Sequence, residues 1–206
     1  MNCDPIARWY RYFEYLAFGR ALQRRRLEFL DDVADARNVL ILGDGDGRFT
    51  AEFVNRNPQA IVDSVDSSER MLQLAQRRVR NPNVRFRLGD ARTIPLSGKY
   101  DLIVTHFFLD CFTDSDLNAL LPRISGHCEP DARWVVSEFG LPISGVAQVF
   151  AKMLIRLMYF FFRLMTGLTV TQLPNYSAAF ARHGFRVVRE HTLLRGLLVS
   201  QIWKQQ

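Results

Sequence analysis

Cysteine is scarce: three residues in 206, at Cys3, Cys111 and Cys128, with no CxxC spacing. An odd, scattered set argues against a disulfide framework or a zinc knuckle and fits a reducing compartment. No metal site is expected, and Cys111 and Cys128 read as small apolar core residues. A long uninterrupted hydrophobic run is also missing. The most apolar segment, about 146–165, is broken by Lys152, Arg156 and Arg163, too often for a transmembrane span. At the start of the chain Asp4 and Pro5 precede any apolar run. No secretory signal is read there, and a cytoplasmic chain, at most peripheral to a membrane, is expected. Acids are outnumbered, 21 against 27 Lys+Arg, for a net charge of +6. Such a surface can attract nucleic acid or anionic lipid. The arginine runs, Arg24-Arg25-Arg26 and Arg77-Arg78, fall on predicted helices without interleaved aromatics. There is no RNP-like or helix-turn-helix signature, so a solvated basic face is preferred and a nucleic-acid partner is not favoured.

What is present is the balance of a globular domain, 48% hydrophobic and 23% charged residues, in a chain long enough to bury a core without staples. Residues 5–30 read as one or two helices rich in aromatics and arginine. Val39-Leu40-Ile41-Leu42 is a short apolar run that stops at a glycine cluster, the pattern of a buried strand. A helix over 49–55, a strand over 60–65, a helix over 67–79 and a strand over 84–88 follow. Ser67 or Ser68 is the N-cap of that second helix, and Met71, Leu72 and Ala75 lie on its buried face. Further strands are read over 101–105 and 133–137, with a helix over 114–124 capped by Thr113 between them. A long apolar helix over about 146–165, a short one over 177–183 ending at Gly184, and strands over 185–190 and 197–203 complete the chain. Strands alternating with helices require crossover connections and hence a parallel sheet. The last two strands lack an intervening helix and should pair antiparallel. The expected class is α/β: a doubly wound, seven-stranded, mostly parallel sheet with a C-terminal antiparallel hairpin and helices on both faces.

Three acidic turns stand out. In Gly43-Asp44-Gly45-Asp46-Gly47 a strand runs into a helix through glycines, which allow positive φ and bring backbone N–H groups to a ligand at a helix N-terminus. A dinucleotide loop would want glycine at the sixth position, where this chain has Arg48. Asp44 and Asp46 would also repel a pyrophosphate, by ~1 kcal/mol or more per close pair. The same acids suit a ligand with a cationic end. Asp66, followed by Ser67 at the end of the second strand, is placed to accept the hydroxyls of a ribose; the plainer alternative is a helix N-cap. Asp63, inside that strand, is expected to be exposed. Gly89-Asp90-Ala91 follows the third strand, where an acid can accept a hydrogen bond from an exocyclic amine. All three turns lie at C-terminal strand ends, the ligand-binding edge of an open α/β sheet.

These motifs, with Tyr100-Asp101-Leu102-Ile103-Val104 as a fourth-strand motif, resemble the class I S-adenosylmethionine (AdoMet)-dependent methyltransferases, and small-molecule methyltransferases in particular. The resemblance covers roughly 38–137 well and the final two strands loosely. It implies AdoMet as cofactor, held by Gly43, Asp44, Gly45, Gly47, Asp66, Ser67, Asp90, Ala91 and His106. It also implies one methyltransferase domain over 1–206, with an N-terminal helical cap over 1–34 and an apolar helical insert over 141–172 covering the site. One position departs from the family: the acid two residues before the first glycine is Ile41 here, and Asp44 is the substitute for organising the methionine end. An NPPY-like run, which nucleobase amino methylases carry after the fourth strand, is absent.

A sulfonium methyl needs mainly alignment and desolvation, and a base only where the acceptor must lose a proton. His106 is the candidate base, with Asp110 orienting it if the segment turns helically; the alternative is that His106 lines the cofactor pocket and Asp110 is structural. In the long helix, Gln148, Lys152, Arg156, Tyr159, Arg163 and Thr166 share one stripe and the rest is apolar. That helix can cover a hydrophobic substrate pocket, form a homodimer interface, or lie on a membrane with its arginines at head groups. Each reading favours a lipophilic or aromatic small-molecule substrate. The cluster Trp9-Tyr10-Arg11-Tyr12-Phe13 can supply another pocket wall or plain core. Two other functions stay open. One is a non-catalytic AdoMet-binding scaffold with a membrane- or partner-binding helix. The other is aminopropyl transfer, as in polyamine synthases, whose Gly-Asp-Gly loop Gly45-Asp46-Gly47 resembles.

Overall fold

Continuous apolar runs and alternating ones divide the strands of this chain. In the computed structural model, which describes residues 4–5, 7–142 and 144–206, the strands are β1 (Asn38–Leu42), β2 (Ile61–Asp66), β3 (Val84–Leu88), β4 (Tyr100–His106), β5 (Cys128–Phe139), β6 (Phe185–Leu193) and β7 (Leu198–Gln205). They form one sheet in the order β3-β2-β1-β4-β5-β7-β6. β1 and β4, buried almost end to end, occupy the centre, as strands covered on both faces must. The pairings are parallel from β3 through β5. β7 runs antiparallel to both β5 and β6, so the expected closing hairpin is present. The order reverses between β1 and β4, and such a switch point opens a crevice beyond the C-terminal strand ends.

The helices are α1 (Ala7–Phe18), α2 (Ala21–Arg26), α3 (Arg48–Arg56), α4 (Glu69–Arg78), α5 (Asp114–Ser125), α6 (Val146–Thr166) and α7 (Tyr176–Arg182). Successive residues of β1 point to opposite faces. Leu40 and Leu42 join a core with Leu117 and Leu121 of α5 and Phe180 of α7. Val39 and Ile41 join another with Phe29, Phe49 and Phe53. A third core lies away from the sheet centre, where Ala151, Ile155 and Tyr159 of α6 pack with Leu22, Phe139 and Leu168. The Ser68 side chain caps α4 by accepting from Met71 N–H, and Thr113 with Asp116 forms a capping box on α5.

Several expectations need correction. Asp63 is buried, not exposed: its carboxylate accepts from Arg85, its register partner on β3, and from the Tyr100 hydroxyl at 2.7 Å. Cross-strand pairing supplies the counter-charge that a buried carboxylate requires. β5 is longer than 133–137 because it pairs on both sides; its polar start, Glu129 to Asp131, hides it in the sequence. The last two strands are joined by a tight turn over Leu194–Gly196 in which Leu194 and Arg195 adopt positive φ. Cys111 and Cys128 are half-buried, packed against the margins of the third and first cores. Cys3 and the side chains of Tyr10, Arg11 and Phe13 lie outside the described residues.

Candidate functional site

The loops after β1, β2 and β3 meet along one edge of the sheet and wall a cavity of about 480 Å³. Gly43, Asp44, Gly45, Asp66, Ser67, Asp90, Ala91 and His106 all border it. Gly47 does not. A Cβ there would strike Ala75 of α4, so this glycine lets the loop lie against the helix and offers no wall to a ligand. At Gly43 a Cβ would run into the Phe108 ring. Gly45 has φ +60 and nothing nearer to its missing Cβ than the Met71 sulfur at 3.7 Å, which leaves its backbone open toward the cavity.

The acids have distinct surroundings. Asp44 receives the Phe49 and Thr50 N–H groups and the Thr50 hydroxyl, at 2.7–3.2 Å, and so closes the first turn of α3. Burial raises its carboxyl pKa despite those donors. Asp46, expected to face a cationic ligand, is instead neutralised by Arg48 at 2.9 Å and Arg78 at 2.7 Å. Asp66 accepts from Ser68 N–H at 2.8 Å and Gly45 N–H at 3.1 Å, tying the glycine loop to the start of α4. Burial, with a smaller push from the Asp44 charge, lifts it to about 6. The N-cap of α4 is Ser68, so Asp66 is not held there as a cap. Asp90 is paired with Arg92 at 2.6 Å, and that guanidinium holds its carboxyl below the usual range. Arg92 also reaches Asp116 at 3.1 Å.

His106 and Asp110 are not brought together. His106 is buried at the end of β4, edge-on to Phe49 at 4.7 Å between centroids, and neither ring nitrogen has a hydrogen-bond partner among the described residues. Burial, with the nearby Arg26 charge, pushes its pKa down to about 3, so the ring is neutral at pH 7. Asp110 borders a second cavity of about 450 Å³. Burial raises its carboxyl to about 6. The chain between them turns sharply. Phe107 has φ +52, a conformation costly for a bulky residue. It is held by Phe107 N–H donating to Ser137 carbonyl at 2.7 Å, and by Glu138 accepting the Phe108 and Leu109 N–H groups at 2.9 and 2.7 Å. Glu138 is buried, and burial together with the Asp110 charge raises its pKa well above the carboxylate range.

The second cavity is apolar. Phe18 and Leu22 wall one side, Leu154, Met158 and Phe162 of α6 another, and Phe139 the base. Its few polar groups are Asp110, Tyr159, whose hydroxyl donates to the Asp110 carbonyl at 3.0 Å, and Glu14. The two cavities share Phe107, Cys111 and Leu168. Trp9 and Tyr12, expected as wall or core, are exposed and border neither cavity; α1 contributes Leu16, Ala17 and Phe18.

Sequence reasoning missed Glu14, Arg26 and Glu138. Glu14 is buried and bonded to both Arg26 and Arg48. Burial alone would raise its pKa, but the two guanidiniums hold it low. It thereby anchors α1 to the rim of the first cavity, which Arg26 and Arg48 border. An isolated acid amid aromatics was the only available signal.

Comparison with known proteins bears on this arrangement. Residues 39–131 match the family model described as a methyltransferase domain. A malonyl-[acyl-carrier protein] O-methyltransferase of Halalkalibacterium halodurans is 35% identical over 97 residues, 42% of this chain and 36% of that protein. A trans-aconitate 2-methyltransferase of Deinococcus radiodurans is 36% identical over 112 residues, 54% of this chain and 42% of that protein. The match thus spans less than half the length of either relative. The structure of magnesium protoporphyrin IX methyltransferase from Synechocystis with bound SAH superposes with a TM-score of 0.66 at 15% identity, over 96% of this chain and 88% of that one; this likeness is one of fold. The matched segment and the sheet order agree: residues 39–131 are similar to a methyltransferase domain, and the chain has the fold of the class I AdoMet-dependent methyltransferases.

Proposed function

We propose that this protein transfers the methyl group of AdoMet to a lipophilic or aromatic small molecule seated in the apolar cavity. The observation that carries the proposal is the pairing of two spaces: an acid-lined one at the sheet edge and an apolar one beside it, parted by Phe107, Cys111 and Leu168. The residues of the first fit the cofactor. Gly45 leaves its backbone open, Asp66 keeps acceptor capacity toward the cavity, and His106 offers two buried nitrogens without partners among the described residues. A buried polar atom without a partner is costly, which favours a ligand there.

In this reading Asp66 and Ser67 would hold the ribose hydroxyls, Asp90 and Ala91 the adenine, and the Gly43–Gly45 backbone the sulfonium end. With Ile41 buried in the core away from the cavity, Asp44 and Arg26 are the charged groups left for the methionine ammonium and carboxylate. The cofactor supplies an activated methyl group on a cationic sulfur. The chain's part is alignment and water exclusion across the shared wall. His106, with its depressed pKa, is a poor base, so it positions. Asp110, with a carboxyl near 6, is ionised at pH 7 and faces the acceptor cavity; it takes the proton of an acceptor hydroxyl. An aminopropyl reading would need an acid at the end of β4, where Thr105 and His106 stand. The relatives' names point to an acyl-carrier-protein ester and a tricarboxylate. Those relatives match 42% and 54% of this chain, so the acceptor cavity here is read from its own apolar lining.

Two measurements test the proposal. Calorimetry should detect AdoMet and its demethylated product. A radiolabelled methyl group should pass into a solvent-extractable phenolic or quinol acceptor and not into short polyacids. No AdoMet binding removes the proposal. Transfer only to polar acids removes its substrate class.

A further inference from the structure

Helix α6 is apolar on two opposite faces. The inner one packs into the third core. On the outer one Val149, Met153, Phe160 and Leu164 are 60–69% exposed. At roughly 100° per residue these four fall within an arc of about 60°. Lys152, Arg156 and Arg163 run along one edge of that arc, exposed and in no ion pair among the described residues. The helix has no acid. Leu16 of α1 and Leu157 of α6, 86% and 63% exposed, belong at once to this surface and to the rim of the apolar cavity. On the same side of α1, at i, i+3 and i+7 spacing, Trp9 and Tyr12 precede Leu16 and expose their rings.

We propose that this surface docks on an anionic lipid bilayer with the mouth of the apolar cavity turned toward the lipid. The part concerning the cavity rests on its reading as the acceptor site. Charge decides between the possible occupants. A second copy meeting this face through a two-fold axis would set three cations against three cations with no acid on either helix. A bilayer carrying anionic lipid supplies the missing charge, takes up the apolar arc and accommodates aromatic rings at the interface. Among the described residues no helix is long and apolar enough to cross a membrane, so the contact is one of surface docking.

The test is flotation of the full chain with vesicles of phosphatidylcholine alone or mixed with phosphatidylglycerol. The chain should float with the mixed vesicles and lose binding as salt rises. The triple variant Lys152→Glu, Arg156→Glu, Arg163→Glu should bind about 100-fold more weakly or worse. Met153→Glu with Phe160→Glu should do likewise. Both variants should keep AdoMet affinity by calorimetry, which reports an intact fold. Brominated lipid should quench Trp9, and Trp9→Phe should abolish that quenching, since Trp134 and Trp203 are buried. A chain that binds AdoMet but does not float overturns the docking. So does a dimer in sedimentation that Met153→Glu with Phe160→Glu dissolves. Flotation without Trp9 quenching overturns the orientation. A chain that floats but binds no AdoMet overturns the methyl-transfer reading and leaves the docking standing.

Discussion

Two cavities of nearly equal size, about 480 and 450 Å³, are built in opposite ways. The first is made mainly by short loops, each directly after a strand of the parallel sheet, so a few contiguous residues fix most of its acidic wall, with Arg26 and Gly167-Leu168-Thr169 added from elsewhere. The second is made by side chains from α1, α2, the turn after β4, the end of β5 and α6, which are far apart in the chain. One presents acids and backbone N–H groups; the other presents aliphatic and aromatic carbon with two carboxylates, Glu14 and Asp110. Local encoding suits a ligand whose identity is fixed. Dispersed encoding lets an acceptor site change without disturbing the sheet edge.

The comparison can be broken at its polar points. The largest effect is expected at Asp110. Asp110→Asn should lower kcat about 100-fold or more if this carboxylate takes the acceptor's proton, with AdoMet affinity unchanged by calorimetry. In the parent chain kcat/KM should rise with pH through about 6 and then level off, and the variant should lack that step. Stability moves the other way. The folded state holds this proton more tightly than the unfolded state, whose carboxyl titrates near 3.8. The group's contribution is therefore complete below about 4 and is lost as pH rises through about 6. A pH profile of Asp110→Asn that keeps the step would assign the proton elsewhere.

A smaller effect is expected on the other side of the shared wall. Asp66→Ala should weaken AdoMet about 30-fold in titration calorimetry, about 2 kcal/mol for lost charged hydrogen bonds and a loosened glycine loop. The loss should shrink below pH 6, where the parent carboxyl takes up its proton. The smallest effect concerns shape. Met158→Trp, which fills the apolar cavity, should raise KM for a bulky lipophilic acceptor about tenfold, ~1.4 kcal/mol, and leave AdoMet affinity alone. A variant that changes both constants equally would mean that the two spaces do not act separately.

The same division explains what was legible in the sequence. Glycine spacing and acids at strand ends led to Asp44, Asp66 and Asp90, and these do border one cavity. The sheet, its closing hairpin and the caps at Ser68 and Thr113 follow from periodicity and capping chemistry, both local. Asp63 was misread because its partners, Arg85 and Tyr100, sit on other strands. Gly47 was taken for a ligand contact because a spacing rule cannot tell a glycine needed for helix packing from one needed for a ligand. The joining of His106 and Asp110 failed because the sharp bend at Phe107 sends them to different spaces. That bend is held by Ser137 and Glu138, some 30 residues away.

The bend at Phe107 carries one further consequence. A single aromatic ring, fixed by its own backbone against Phe139 on one side and under the Arg26 guanidinium on the other, forms part of both compartments at once. Any molecule that presses on it from one compartment changes the free energy of the neighbour's visitor, and linkage makes that influence equal in both directions. Under the proposed function, cofactor and acceptor thus meet as correspondents through a common partition, and the affinity of each is a property of the pair.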